Sequence, residues 1–317
     1  VWAMSQKALT PAVRPIRRRV RRDVLQENIE VWLMMLPVLL VIFLFSYIPL
    51  WGTIIAVQDY VPGSPFFGSE FVGLRWIVKF CKSVYFERLL VNTLRLSLLQ
   101  LLFSFWVPII FALFLNEVTN LRYKKFVQTC SYMPYFVSSV VVAGMAISFL
   151  DPNGLINNLI ALFGGTPREF ITDPDAFPAI YTVVTIWKDF GFASILYFST
   201  LSSIDPSLYE AARIDGAGHM SQIWHITLPG LKAIIAIKLI MSVGAILSSN
   251  TDMILLLYNT ATYRTADVIG TYVYRVGLGE GQFSYTTAVN LFMSIIGFTL
   301  TYLANRLSNY LTGSGLW

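Results

Sequence analysis

The run "VWLMMLPVLLVIFLFSYIPLWGTIIAV", residues 31–57, decides the fold. It contains no charged side chain, and a helix of about 20 apolar residues is long enough to cross a hydrocarbon core of about 30 Å. Across the 317 residues, 56% are hydrophobic and 13% are charged, whereas soluble domains carry about 25% charged residues. The sequence therefore predicts an integral membrane protein.

Further apolar runs predict a polytopic protein. Backbone polar groups inside a bilayer are satisfied only in helices or closed barrels, and these runs lack the alternation of barrel strands. The fold class is therefore predicted to be all-α, with one membrane domain over residues 31–317 after a basic segment, 1–30. The six transmembrane helices are expected at about 31–57, 89–115, 134–150, 178–201, 231–257 and 286–307.

Basic residues predict the orientation. The segment "RPIRRRVRR" (14–22) has six arginines in nine positions. Such a cluster can bind nucleic acid or anionic lipid, but directly before a span it is typical of a cytoplasmic anchor. With the N-terminus inside, the inner segments hold 12 Lys or Arg and the outer loops hold 7. We predict a membrane protein surrounded by lipid, with both termini cytoplasmic and no nucleic-acid partner.

One cytoplasmic stretch, the polar loop, interrupts the apolar pattern as "DPSLYEAARIDGAGHMSQIWHITLP", residues 205–229. Asp205 and Pro206 are typical of a helix start, and Gly216 is typical of a helix end. A second short helix would place Met220, Ile223 and Trp224 on one side and would end at Pro229. The resulting helical hairpin could dock on another protein, lie on the lipid headgroups or cap the helix bundle.

The polar loop resembles the EAA signature of binding-protein-dependent ABC importer permeases. The residues in register are Glu210, Ala211, Ala212, Asp215, Gly216, Ala217, Ile226, Leu228 and Pro229. Ile223 departs from the pattern, since that family often has Phe there, but it keeps an apolar side chain. The stretches "SYIPLWG", "MPYFVSSVVVAGM" and "DVIGTYVYRVGL" resemble the subgroup that imports oligosaccharides and larger or acidic polysaccharides, with alginate-type uptake permeases the most similar.

The resemblance implies a multi-pass permease subunit of the bacterial inner membrane that carries an oligosaccharide or polysaccharide, including an acidic one such as alginate. It implies that the polar loop forms a coupling helix contacting an ATP-binding subunit through Glu210, Ala211, Ala212, Asp215, Gly216, Ala217, Ile223 and Pro229. Its implied partners are a second permease subunit, two copies of the ATP-binding subunit and an extracytoplasmic solute-binding protein. ATP and magnesium would be bound by partner subunits. The chain contains no G-x-x-x-x-G-K-[ST] motif, so it is predicted to be neither an enzyme nor a cofactor-binding protein.

Candidates for the substrate path lie in the fourth predicted span. Lys188 and Asp189 are near its middle, where ionisable groups usually meet a partner or a cavity. Adjacent residues on a helix do not face each other, so we expect partners on neighbouring helices, or else a place on the path. Trp187 and Tyr197 could hold a sugar on their rings, although helix packing also explains such aromatics. Lys238, in span five, is expected to reach the membrane edge.

Two other functional classes are considered. An ion-gradient-driven secondary transporter or channel would show inverted repeats and matched broken helices, which are not evident in the sequence. A membrane enzyme would need a catalytic or metal-binding pattern. His219 and His225 do not share a helical face and have no accompanying acidic motif, and Cys81 and Cys130 form no C-x-x-C pair. No metal site is predicted.

Overall fold

The computed structural model describes residues 19–65, 68–248, 250–313 and 315–316, and it divides the chain into two compact units, 1–54 and 55–317. Residues 1–18 of the predicted basic segment lie outside the described residues. Within the described part, the chain forms helices and turns without a β-strand, apart from one isolated bridge between Gln58 and Phe71.

The first unit is helical. Its main helix, Arg19–Ile42, contains Pro37 and continues through a π-helical turn, Phe43–Tyr47. The helix Ile48–Leu50 follows, and the 3₁₀ turns Trp51–Val57 run into the second unit. The segment Ile29–Val57 is long and apolar enough to cross a membrane, and its apolar side chains from Ile29 to Trp51 are exposed. This is the surface expected where the surrounding solvent is lipid.

The second unit supplies five more candidate spans: span 2 (Phe86–Asn116), span 3 (Ser139–Leu162), span 4 (Phe177–Leu201), span 5 (His219–Gly244) and span 6 (Phe283–Tyr310). The all-α, six-span prediction is confirmed. The helices of this unit are Arg75–Cys81, Phe86–Leu99, Trp106–Asn116, Leu121–Phe136, Ser139–Leu150, Leu155–Leu162, Phe177–Leu201, Pro206–Ile214, His219–Gln222, Leu228–Gly244, Thr251–Leu257, Tyr263–Ala266, Ile269–Tyr274 and Phe283–Thr312. π-helical turns lie at Gln100–Ser104, Ile223–Thr227 and Arg275–Gly279, and a 3₁₀ turn lies at Thr260–Thr262.

Span 5 differs most from its predicted bounds of 231–257. Its helical path ends at Gly244, and a new helix, Thr251–Leu257, begins after Asn250. The Asn250 side chain accepts the Met253 N–H at 3.3 Å, and Ser248 Oγ donates to the Ala245 carbonyl at 3.1 Å. Short polar side chains compete in this way with helical backbone bonds, so the apolar run is divided into two helices.

The start of span 5 also differs from the prediction that Pro229 ends the second helix of the polar loop. The chain passes from His219–Gln222 through the π-helical turn into Leu228–Gly244 without leaving a helical path. The Leu228 N–H donates to the Ile223 carbonyl, and this wider turn directly precedes the proline. The second half of the polar loop is therefore the first part of span 5.

Span 4 packs among its neighbours. One buried cluster joins it to spans 2 and 5 through Phe105, Ile109, Ala112, Leu115, Tyr197, Phe198, Leu201 and Leu231. On another side, a Cβ at Gly191 would lie 1.9 Å from the Ser131 carbonyl oxygen. Only glycine therefore allows the helix Leu121–Phe136 to approach span 4 this closely. The contact fixes the part of span 4 that carries Lys188 and Asp189 against that helix.

Candidate functional site

The first helix of the polar loop begins at a defined capping residue. Asp205 has an extended backbone and its side chain accepts the Ser207 N–H at 2.9 Å, which is the geometry of an N-cap. This hydrogen bond lowers the pKa of the Asp205 carboxyl below its usual value, because it favours the ionised form. The helix Pro206–Ile214 follows, as the Asp-Pro pair predicts.

The end of that helix is equally defined. Gly216 has a φ of +79°, a left-handed conformation that side chains with a Cβ adopt at a cost. Its N–H donates to the Arg213 carbonyl at 3.1 Å, and the Ala217 N–H donates to the Ala212 carbonyl at 2.8 Å. This pair of bonds is a Schellman motif, which reverses the chain toward the start of span 5.

Several contacts attach the polar loop to the spans. Tyr209 Oη lies 3.1 Å from the buried Thr227 Oγ1, and Gln222 Nε2 donates to the Ala217 carbonyl at 2.9 Å. His219 Nδ1 lies 2.8 Å from a carboxylate oxygen of Glu117, at the end of span 2. The loop is thus joined to two spans and can transmit a displacement to both.

The polar loop exposes large apolar side chains. The side chains of Ile214, Met220 and Trp224 are 87%, 66% and 62% exposed, whereas Ile223 is only half-exposed. Of the three apolar residues predicted to share one side of the second short helix, Met220 and Trp224 are therefore exposed, and Ile223 is only partly so. Ile214 is the residue that the sequence reasoning missed. The sequence signal for Ile214 is its position directly before the Asp-Gly helix end, where packing inside the protein does not require an apolar side chain.

A second candidate site is the intramembrane cavity of about 310 Å³. Spans 2, 4 and 5 and the turn after span 5 supply its polar lining: Ser97, Gln100, Ser104, Tyr181, Thr185, Asp189, Tyr197, Lys238, Ser242, Ser248 and Asn250. Within the described part of the chain, Ser97 Oγ, Gln100 Nε2 and Thr185 Oγ1 are buried without a hydrogen-bond partner. Buried polar atoms are normally paired, and these three unpaired groups belong to residues that line the cavity.

The structure separates the four predicted path residues. Asp189 and Tyr197 both line the intramembrane cavity. Trp187 lines a different, wholly apolar cavity beside Val142 and Val183. Lys188, next to Asp189 in the sequence, is in the lining of neither cavity.

Lys188 turns toward the helix Leu121–Phe136. Its Nζ donates to the Tyr135 carbonyl at 3.3 Å and lies 5.2 Å from the centroid of the Tyr135 ring. Its distance to the Asp189 carboxylate is 3.9 Å, at the limit of an ion pair. The lysine thus has a partner on a neighbouring helix, the first of the two roles expected for it.

Most polar residues of the cavity were missed by the sequence reasoning, and they form stripes together with Asp189, which it named. Span 2 places Ser97, Gln100 and Ser104 at i, i+3 and i+7, and span 4 places Tyr181, Thr185 and Asp189 at successive fourth positions. Such spacing puts them on one helical face. Lys238, which was expected to reach the membrane edge, also lines the cavity.

Comparison with known proteins identifies the family. Residues 105–311 match the family model described as "Binding-protein-dependent transport system inner membrane component". The chain belongs to this family. The permease is also 41% identical, over 95% of its length and 94% of the relative's, to the polygalacturonan/rhamnogalacturonan transport system permease protein YteP of Bacillus subtilis. It is 40% identical to protein LplB of the same organism, over 90% of each chain.

Solved structures agree with this assignment. The permease superposes with a TM-score of 0.84 and 38% identity on a chain of a bacterial alginate ABC transporter in complex with an alginate pentasaccharide-bound periplasmic protein, over 94% of this chain and all of that one. A second alginate importer structure gives a TM-score of 0.83. The prediction of a permease subunit of an ABC importer is confirmed, in preference to a gradient-driven transporter. In this family, ATP hydrolysis belongs to a partner subunit, and an EAA motif with a coupling helix is typical.

Proposed function

We propose that this permease carries an acidic oligosaccharide or polysaccharide, of the polygalacturonan or alginate type, across the membrane. The observation that carries the proposal is the intramembrane cavity, which holds unpaired hydroxyl and amide groups beside a lysine and a tyrosine. Hydroxyl-rich ligands need such groups, and a carboxylate needs a cation. The proposal is supported by the similarity to a permease named for polygalacturonan and to alginate importers.

Within this proposal, Lys238, Tyr197 and Asp189 have different roles in binding the saccharide. Lys238 would attract the carboxylate of the sugar, and the buried Tyr197 would form part of the cavity wall. The Asp189 carboxylate would accept hydrogen bonds from sugar hydroxyls, and Lys188 at 3.9 Å partly offsets its charge. Trp187 and Lys188 lie outside the cavity lining, so we give them structural roles in this proposal.

The polar loop would couple this path to ATP. We propose that an ATP-binding subunit receives the exposed side chains of Ile214 and Met220 in a cleft. The coupling set predicted from the sequence, Glu210, Ala211, Ala212, Asp215, Gly216, Ala217, Ile223 and Pro229, would shape that contact. The complete importer would contain a second permease subunit, two copies of an ATP-binding subunit that hold ATP and magnesium, and an extracytoplasmic solute-binding protein. The polar loop and both termini would be cytoplasmic.

The test is uptake by the reconstituted importer with all its subunits in proteoliposomes. We expect the importer to take up trigalacturonate, and Lys238→Met to reduce this uptake by about tenfold, since a charged hydrogen bond contributes about 1.5–3 kcal/mol. Lys232→Met, on the same span but outside the cavity, is the matched control and should behave as wild type. Equal uptake by the two variants would refute the path, and import of neutral sugars alone would refute the acidic substrate.

A further inference from the structure

A second polar cavity, the outer cavity, lies between the segments that flank spans 2 and 6. It has a volume of about 570 Å³, and its lining includes Lys79, Tyr85, Arg88, Tyr272, Arg275 and Tyr285. Counting spans places the segments 58–85 and 245–282 on the opposite side of the membrane from the polar loop. In the proposed orientation, this cavity opens toward the extracytoplasmic space, where substrate arrives.

A buried ion cluster positions one wall of the outer cavity. Asp267 is fully buried, and its carboxylate accepts hydrogen bonds from Arg88 Nη2 at 2.9 Å and Arg275 Nη2 at 3.0 Å. Thr271 Oγ1 donates to the same carboxylate at 2.9 Å. Arg275 binds Asp267 with both Nη atoms, so neither of these two nitrogen atoms is left for a ligand. One carboxylate therefore serves two guanidinium groups, and a positive charge remains.

Arg88 lines the outer cavity and keeps donors that Asp267 does not use. It uses Nη2 for Asp267, while its Nε is buried without a partner among the described residues. Its guanidinium lies 5.5 Å from the centroid of the Tyr85 ring, and Tyr85 is about half-exposed. A guanidinium held in this way has free donors in the planar arrangement that suits a carboxylate.

Lys79 supplies a second cation. Its Nζ lies 5.1 Å from the ring centroids of both Trp76 and Tyr285, and the side chain forms no ion pair within the described part of the chain. The opposing charge in the cavity lining is Glu280, which accepts a hydrogen bond from Gln282 at 2.9 Å. The cations Lys79, Arg88 and Arg275 outnumber Asp267 and Glu280 by one.

We propose that the outer cavity binds the carboxylate of an acidic saccharide, through Lys79 and Arg88, before the saccharide enters the membrane. This inference rests on the acidic substrate of the proposed function. The cations and the half-exposed ring of Tyr85 match a uronate unit, which has a carboxylate and an apolar ring face. The cavity volume is within the range of small-ligand pockets, and its concave shape favours a sugar over a flat protein surface. Arg275 and Asp267 are positioning residues that hold Arg88.

The test compares two lysines of the same segment in the complete importer. Lys79→Met is chosen because it breaks no buried ion pair, whereas removing Arg88 would leave Asp267 short of a partner. Lys82→Met, whose side chain is exposed and does not line the cavity, is the matched control. Trigalacturonate binding is measured calorimetrically on the detergent-solubilised complex without the solute-binding protein, with fully methyl-esterified trigalacturonate as a neutral probe.

We expect Lys79→Met to weaken trigalacturonate binding by about tenfold, Lys79→Arg to restore it, and Lys82→Met to leave it unchanged. The methyl ester should bind weakly to all variants. Equal trigalacturonate binding by Lys79→Met and Lys82→Met would overturn the outer site. If the wild-type importer takes up trigalacturonate while the outer site fails, the proposed function stands; if it imports only neutral sugars, both proposals fail.

Discussion

The polar loop and the intramembrane cavity carry their polar groups in different ways. In the loop, helix start, helix end and exposed apolar side chains lie within 25 residues, from Asp205 to Pro229. In the cavity, the lining extends from Ser97 to Asn250 and comes from three spans and a turn. The loop is specified by local sequence, whereas the cavity exists only once the spans pack. This difference suggests that the two regions can be disabled separately.

The largest effect is expected at the apolar tip of the polar loop. Ile214→Asp places a charge where an 87% exposed isoleucine would enter a cleft, so we expect about 30-fold weaker binding of the ATP-binding subunit, the equivalent of about 2 kcal/mol at an interface hot spot. Titration of the assembled permease pair with that subunit measures it. Phe163→Asp changes a side chain that is 86% exposed on the other side of the membrane. Equal weakening by both would mean that the effect is not local.

A smaller effect is expected from the backbone of the loop. Gly216→Val forces a β-branched residue to a φ of +79°, at a cost of about 1–2 kcal/mol, so we expect about tenfold lower transport-coupled ATP hydrolysis.

Gly218 offers the control for that substitution. It has a φ of −71°, and a Cβ added there would meet open space within 4 Å, so Gly218→Val should retain most of the activity. If the two variants lose activity equally, the left-handed turn is not what the loop requires.

The contrast between the polar loop and the intramembrane cavity also explains which features could be predicted from the sequence. The cap at Asp205 and the break at Gly216 follow from short-range chemistry, and the structure contains both. The six spans follow from hydropathy, but the end of span 5 at Gly244 depends on Ser248 and Asn250 bonding to the local backbone. That competition is invisible to a hydropathy average.

The cavity was harder to predict for a similar reason. Lys188 and Asp189 are adjacent, yet one bonds to Tyr135 and the other lines the cavity. Their separation depends on the close contact of Gly191 with Ser131, which joins residues 60 positions apart in the chain. A single sequence shows the polar stripes but not which neighbouring helix each stripe faces.

In the cavity, Asp189→Asn tests the path while preserving the shape of the side chain. An amide accepts hydrogen bonds less strongly than a carboxylate, so the bond is weakened rather than lost, and we expect about fivefold lower saccharide uptake, the equivalent of about 1 kcal/mol. Binding of the ATP-binding subunit should be unchanged. Uptake assays in proteoliposomes measure the first quantity, and unaltered uptake would remove Asp189 from the path.

The smallest effect is expected at Lys188, which has a structural partner. Lys188→Met removes a 3.3 Å hydrogen bond to the Tyr135 carbonyl, so thermal unfolding in detergent should show a loss of about 1 kcal/mol. Saccharide uptake per folded complex should stay at the wild-type level. A selective loss of acidic-saccharide uptake without destabilisation would instead return Lys188 to the path.

The separability of the two regions is tested most directly by one titration. The dissociation constant of the ATP-binding subunit is measured for the wild-type permease pair, Ile214→Asp, Asp189→Asn and the double variant. We predict wild-type affinity for Asp189→Asn and equally weakened affinity for Ile214→Asp and the double variant, because distant independent sites contribute additively. An Asp189→Asn variant as weak as Ile214→Asp, or an Ile214→Asp variant with wild-type affinity, would contradict it.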